Sequence, residues 1–412
     1  MSRYVMVGCG PAACAAAEAV RAADAGAEIL LLSFEAVRTL ARPQLVRYAS
    51  RQIELAELES NDPAWFAERR LDVRLGVTVT GIDAASRKLT LAGGETVSYD
   101  KLLVATGIQP RAAQFPGSDL SGVVVMNHQS EAEQVREVVT RTKRAVVVGG
   151  GLLGQDMSMA LRTVGRQVTL LVREDRVGVP QWDPASSEIV LKELTGLGID
   201  VQLQSEVARI EGAGGRVSKV IAKDGREIPC EMVFVAIGSS PRADWLAGSG
   251  VEVGRGVVVD EHLATAVPGI YAAGSCAEVH SCGRVLIQAS WMNALAQGQS
   301  AGVNLAGGSQ VYCAASDYLT RIGGTRFSLF GSPAAAYPKA RYVGFRGGEG
   351  DYASLLAEGG VVRGGVLVNK HKRAKEIKAL QLRDEPVPGL AGLQGEQRQS
   401  IDDFVAGAMG LA

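Results

Sequence analysis

The segment KRAVVVGGGLLGQDMSMALRTVGRQVTLLVRED, residues Lys143–Asp175, runs from an apolar strand through a glycine-rich turn into a helix and on to a second apolar strand. Gly149, Gly151 and Gly154 stand at G-x-G-x-x-G spacing, with Leu152 and Leu153 opening the helix. That spacing permits a tight turn, lets backbone N–H groups at the helix start approach a pyrophosphate, and lets helix and strand pack closely. The same order occurs at the N-terminus, where Tyr4–Val7 lead into GCGPAACAAAEAVRAADAG and then AEILLLS. Gly8 and Gly10 form that turn, Pro11 and Ala12 start the helix, and Ala13 stands for the last glycine. Two such units in one chain predict an α/β fold with two Rossmann-like dinucleotide-binding domains.

Composition sets the outer bounds. With 412 residues, 47% hydrophobic and 21% charged, the chain is of ordinary globular make-up and long enough for two or three domains. A net charge of -1 supplies no long-range field for nucleic acid or an anionic membrane, and neither is expected as a partner. The start MSRYVMVGCG enters a strand with no basic and apolar leader, and no apolar run reaches the ~18 residues of a membrane span. A cytoplasmic protein without membrane insertion is the expectation. The six cysteines include no C-x-x-C pair and no zinc-ligand spacing, so reduced thiols and no metal site are expected.

Two further stretches organise the chain. YDKLLVATGIQPR (Tyr99–Arg111) and EMVFVAIGSSPR (Glu231–Arg242) each carry an apolar strand into a glycine turn and then Pro-Arg, as paired connections between two domains would. The predicted order is residues 1–114 for the first half of domain one, 115–237 for an inserted domain two, 238–310 for the second half of domain one, and 311–412 for a small α+β tail domain.

The G-x-G-x-x-A turn at the N-terminus, the A-T-G of Ala105, Thr106 and Gly107, the central G-x-G-x-x-G, and TAVPGIYAAG (Thr265–Gly274) together resemble the two-dinucleotide-binding flavoprotein superfamily. Within it, RPQLVR (Arg42–Arg47), with Pro43, resembles a segment of NAD(P)H-dependent rubredoxin and ferredoxin reductases, as do SWMNALAQGQSAGVNLAGG (Ser290–Gly308) and the tail GGVVRGGVLVNKHKRAKEIKAL. The resemblance implies FAD in domain one, NADPH or NADH in domain two, and electrons passed singly to a small iron-sulfur protein of ferredoxin or rubredoxin type, or to a partner subunit. It is that of a reductase without a redox disulfide, because Arg38–Ile53 contains no cysteine. Cys9 and Cys14, in the phosphate turn and one turn into the helix, read as small packing residues. A homo-oligomer is compatible with this reading.

The resemblance also assigns residues. Glu35, or Ser33 at the strand end, would accept hydrogen bonds from the adenosine ribose. Arg47 and Asp156 stand where lysine and glutamate are usual, which suggests a retained ion pair beside flavin and nicotinamide, in altered geometry because the guanidinium is planar. Gly107, Arg111 and Gly238 lie in the two crossovers as cofactor-facing positions, and Trp291 would cover the flavin or pack in the core. Gly274 keeps close approach to the cofactor, while Ser275 replaces the usual aspartate with a neutral acceptor, so flavin should bind more weakly. Val172 occupies the place of the acid that holds a 2′-hydroxyl, and Arg173 and Arg176 follow it, which favours NADPH; Glu174, Asp175 and the glycine at 154 leave NADH open. Lys370, Lys372, Arg373, Lys375 and Lys378 could steer an acidic redox partner or form a solvated helix face. Two other functions stay open: a flavoprotein acting on oxygen or a quinone, and a non-catalytic nucleotide-binding subunit of a larger complex.

Overall fold

The computed structural model describes residues 2–287, 289–313, 317–332, 334–347, 351–369 and 371–410. Arg3–Val7 is the central strand of a parallel five-stranded sheet, flanked on one side by Glu28–Leu32 and Asp72–Arg74 and on the other by Lys101–Val104 and Ile270–Ala272. The inserted unit repeats the plan. Arg144–Val148 is central, with Gln167–Leu171 and Asp200–Gln202 to one side and Met232–Val235 and Val123–Val124 to the other, again all parallel. Each unit also carries a three-stranded antiparallel meander, at 79–98 just before Lys101–Val104 and at 207–229 just before Met232–Val235.

One close contact fixes both turns. A Cβ on Gly8 (φ +121°) would lie 2.2 Å from the Ala105 carbonyl oxygen, and one on Gly149 (φ +115°) would lie 2.2 Å from that of Ala236. Each glycine thus lets the strand end run directly over the neighbouring crossover strand. Behind the first turn, the helix Trp291–Leu305 packs on the helix Pro11–Ala23, with no room for a Cβ on Gly298 (2.2 Å from the Ala12 oxygen) or Gly302 (2.4 Å from the Ala16 oxygen).

The two Pro-Arg crossovers meet. Ile108–Pro110 and Ser239–Pro241 form an antiparallel ribbon, closed at its ends by Arg111 N–H donating to the Gly238 oxygen (3.0 Å) and Arg242 N–H donating to the Gly107 oxygen (3.0 Å). The inserted unit leaves and returns through this ribbon.

The tail is a six-stranded sheet in the order Asp317–Ile322, Thr325–Gly331, Val361–Val368, Tyr352–Glu358, Arg341–Arg346, Gly395–Gln397. Its core includes side chains of the helices Ala374–Arg383 and Ile401–Met409. Tyr312 still belongs to the first domain's core. The tail docks on the helix Pro184–Gly196 of the inserted unit. Asp183, the N-cap of that helix, is fully buried and accepts from Ala185 N–H (3.1 Å), Ser186 N–H (3.2 Å), the Tyr352 hydroxyl (2.7 Å) and the Ser354 hydroxyl (2.9 Å). Glu193, further along, accepts from Gly324 N–H (3.0 Å) and the Thr325 hydroxyl (2.7 Å). Trp182 packs edge-on against Phe327 at 5.0 Å.

The cysteines correct one expectation. Cys282 and Cys313 form a disulfide with Cα atoms 6.2 Å apart, joining the hairpin turn after Ala277–Ser281 to the segment leading into the tail. They are 31 residues apart in sequence, and only the fold brings them together; the other four cysteines are free and buried. Among the described residues, no helix is long and apolar enough to cross a membrane, and no group of three or more His, Cys, Asp or Glu could hold a metal ion.

Asp183→Ala leaves at least two buried hydroxyls without their acceptor. It is expected to destabilise the chain by about 3 kcal/mol, against about 1 kcal/mol for Ser354→Ala; denaturant midpoints of both variants measure the difference.

Candidate functional site

A cavity of about 1520 Å³ opens between the two units and the tail. Its floor is the first glycine turn, Gly8 to Ala12. The helix there has Gly10 as N-cap, no side chain capping its first turn, and Pro11 at its first position. Its first amides are therefore left for a ligand. A Cβ on Gly10 would find nothing within 4 Å, so the turn is an open cradle for an anionic group at the positive end of a helix. Gly151 caps the second unit's helix Leu152–Thr163 in the same way, again with open space around it. That helix reaches the cavity through Leu152, Leu153 and Asp156.

One wall comes from the strand Glu28–Leu32 and the loop after it. Buried Ser33 accepts from Glu35 N–H through its hydroxyl (3.2 Å). The Glu35 carboxylate is ion-paired with Arg42, whose guanidinium also donates to the Asn127 carbonyl. Glu35 is thus held in the wall, with Arg42 and Pro43 beside it. Ala105, Thr106 and Gly107 line the opposite side with Gly274 and Ser275, and the Ser275 hydroxyl would sit 3.6 Å from a Cβ on Gly107. Gly274 N–H donates to Gln297 Oε1 at 2.7 Å. Trp291 stands at the start of its helix, behind the N-cap Ser290, and lines the cavity.

The expected ion pair between Arg47 and Asp156 is not formed. Arg47 is exposed on the short helix Leu45–Ala49, donates to Gln44 Oε1 (2.9 Å) and lies outside the cavity wall. Asp156 faces the cavity with no cation bound to it, and burial pushes its carboxyl up to about 6. Its charge raises the Tyr318 phenol further, after burial has done most of the work. Tyr318 comes from the first strand of the tail, which adds Asp317, Leu319 and Thr320 to the wall.

Of the two crossover arginines, the cavity takes Arg242 and leaves Arg111 outside. Arg242 stacks over Phe34 at 4.3 Å, its pKa is lowered by burial, and its buried Nε has no hydrogen-bond partner. Arg111 is exposed and donates from Nε to the Ser239 carbonyl (3.3 Å). The antiparallel ribbon explains the difference, because it points the two Pro-Arg ends at opposite units. Sequence reasoning missed Arg242, Phe34 and the tail strand; the repeated Pro-Arg was the available signal. Ala13 is fully buried behind the turn. Gly149, Gly154 and Gly238 shape the second unit away from the cavity wall. Arg173 is exposed and paired with Glu174 (2.7 Å), and Arg176 with Asp175 (3.5 Å). In the basic tail segment Lys378 pairs with Asp317 (2.8 Å), and Lys370 lies outside the described residues.

These features fit a flavin dinucleotide: an uncapped helix start, a glycine where a Cβ would intrude on the cradle, and an arginine lining the cavity whose buried Nε has no hydrogen-bond partner.

Residues 2–298 match the family described as pyridine nucleotide-disulphide oxidoreductase. The chain is 33% identical over 274 residues, 66% of its own length and 66% of the relative's, to the biphenyl dioxygenase system ferredoxin–NAD(+) reductase component of Paraburkholderia xenovorans. It is 30% identical over 363 residues, 86% of each chain, to the chlorobenzene dioxygenase ferredoxin reductase component of a Cupriavidus species. Among solved structures, the ferredoxin reductase for the CYP199A2 system from Rhodopseudomonas palustris superposes with a TM-score of 0.83 at 25% identity, covering 90% of this chain and 91% of that one.

Two variants probe the site. Gly10→Ala has a permissive backbone (φ -87°) and open space, so stability should hold while FAD affinity falls about tenfold or more, the equivalent of ~1.4 kcal/mol; thermal melts and fluorescence titration separate the two effects. Asp156 titrates at about 6 in the folded chain against 3.8 unfolded. Its carboxylate therefore subtracts nothing below pH ~4 and a full penalty above pH ~6. Asp156→Asn should gain about 3 kcal/mol at pH 8 and nothing at pH 3.5, read from unfolding curves across that range.

Proposed function

Since the chain belongs to the pyridine nucleotide-disulphide oxidoreductase family, we propose that it is an NAD(P)H-dependent flavoprotein reductase that feeds electrons to a small iron-sulfur carrier of ferredoxin or rubredoxin type, or to a partner subunit. The observation that carries this reading is that Leu152, Leu153 and Asp156 of the second unit's first helix line the same cavity as Gly8–Ala12, the glycine turn of the first unit. A bound flavin accepts a hydride from a nicotinamide and releases its electrons one at a time.

The chain's own residues bind and orient. The amides at the start of the helix Pro11–Ala23 and the Arg242 guanidinium would hold the pyrophosphate. Glu35, held by Arg42, is presented to the ribose. Ser275 offers a neutral acceptor where a carboxylate is usual, so the cofactor is exchangeable. Trp291 and Tyr318 line the cavity and would shield a bound cofactor from water. Asp156, neutral below about pH 6, holds a proton on the cavity wall and gives it up above that pH. Met292 and Leu319 rim the cavity and are 66% and 65% exposed, which suits a protein acceptor docking there better than a small polar one.

The nicotinamide nucleotide is proposed to be NADPH. Val172 is fully buried where an acid would hold a 2′-hydroxyl, and the exposed Arg173 beside it carries a charge-assisted donor for a 2′-phosphate. The relatives described above are named for NAD(+) or for no nucleotide, so the choice is this chain's own.

The test is optical. The purified chain is expected to be yellow and to bleach anaerobically faster with NADPH than with NADH, and Arg173→Ala should cut the NADPH rate about tenfold with little change for NADH. A colourless chain that takes up no FAD sinks the reading; an NADH preference untouched by Arg173→Ala sinks the nucleotide assignment alone.

A further inference from the structure

Cys9 and Cys14 sit at special positions of the first glycine-turn helix. With Gly10 as N-cap and Pro11 as the first helical residue, Cys9 precedes the cap and Cys14 is the fourth helical residue. Side chains at those two positions pack against each other by the geometry of a helix start. Here both are thiols, and a third group joins them. Thr39, itself 2% exposed, donates its hydroxyl proton to the Cys9 carbonyl at 2.8 Å. Its oxygen is then left as acceptor for the Cys14 thiol at 3.0 Å, with the Cys9 sulfur 3.9 Å away. The two sulfurs thus converge on one buried hydroxyl. Cys9 belongs to the cavity floor, and Cys14 lies behind it.

We propose that Cys9 and Cys14 form a redox-convertible dithiol under the phosphate turn, oxidised by hydrogen peroxide to an intramolecular disulfide and shielded from it when FAD is bound. The shielding rests on the flavin-binding reading above; the dithiol does not.

The two thiols are unequal. When Cys9 ionises, its sulfur draws the Cys14 and then the Thr39 proton towards itself, which lowers its pKa, and the same contact together with burial raises that of Cys14. Cys9 is therefore the nucleophile and Cys14 the resolving thiol. The Cys9 sulfur attacks one peroxide oxygen, the O–O bond breaks, and hydroxide leaves and is protonated to water. Cys9 is then a sulfenic acid. The Cys14 sulfur attacks the Cys9 sulfur, the S–O bond breaks, a second water leaves and the S–S bond forms. Two thiols lose two electrons and two protons, and peroxide is reduced to two waters. An external dithiol reverses the change.

Arg3 and Arg21 flank a tryptic peptide, Tyr4–Arg21, that holds both cysteines and no other basic residue. After peroxide treatment of the FAD-free chain and alkylation with iodoacetamide, this peptide should appear unalkylated and lighter by two hydrogens, and dithiothreitol should restore the doubly alkylated form. With FAD at tenfold its dissociation constant, the conversion should be about tenfold slower, in proportion to the unliganded fraction. Cys14→Ser should leave Cys9 as a sulfenic acid that dimedone traps. A peptide that stays doubly alkylated, a Cys9 oxidised further while Cys14 remains a thiol, or a rate indifferent to FAD in a chain whose spectrum shows it bound overturns the proposal. A chain that takes up no FAD removes the flavin reading, and the peptide mass still decides the dithiol.

Discussion

Two backbone contacts set the rest of the molecule in place. Where Gly8 passes over the Ala105 carbonyl, and Gly149 over that of Ala236, a single Cβ would stand 2.2 Å from the oxygen. The strand can therefore turn into its helix directly above the neighbouring strand's end only if no side chain intervenes. That closeness aims the helix starts and leaves their first amides uncapped. It also places the two crossovers where they can pair. A parallel sheet alone would hold the strands; the glycine contacts decide what its carboxyl edge presents.

The tail completes the cavity from a distance. Its hold on the inserted unit depends on a buried carboxylate, Asp183, saturated by two amides and the hydroxyls of Tyr352 and Ser354, and on Glu193 gripping the turn at Gly324 and Thr325. A buried charge is tolerable when its acceptor sites are filled. With the sheet so anchored, its first strand delivers Tyr318 and Leu319 to the cavity rim. Asp156 shows the opposite case: with burial alone acting on it, it holds its proton to a higher pH.

The fold was legible because glycine spacing and apolar strands are local signals, and both were present twice. The turns, the two parallel sheets and the two crossovers all follow from stretches of fewer than forty residues. The cavity's chemistry was less legible because it depends on direction. Charge matching suggested Arg47 with Asp156, yet the short helix at Leu45–Ala49 turns Arg47 to solvent. Two Pro-Arg pairs looked equivalent, and the antiparallel ribbon sends only Arg242 into the cavity. Cys282 and Cys313 carry no spacing motif, and a hairpin turn and a linker had to fold beside each other before they could bond. Arg173, by contrast, needed only the end of one strand to be placed.

The ribbon of Ile108–Pro110 with Ser239–Pro241 means that everything between the two crossovers departs and returns at one point. A unit attached in that way is a cassette. The first sheet keeps Lys101–Val104 and Ile270–Ala272 side by side whatever the insert contains, since neighbouring ends let a host domain accept a guest without rethreading its own strands. The paired ends therefore mark the seam at which the inserted unit could be exchanged while the first sheet is left intact.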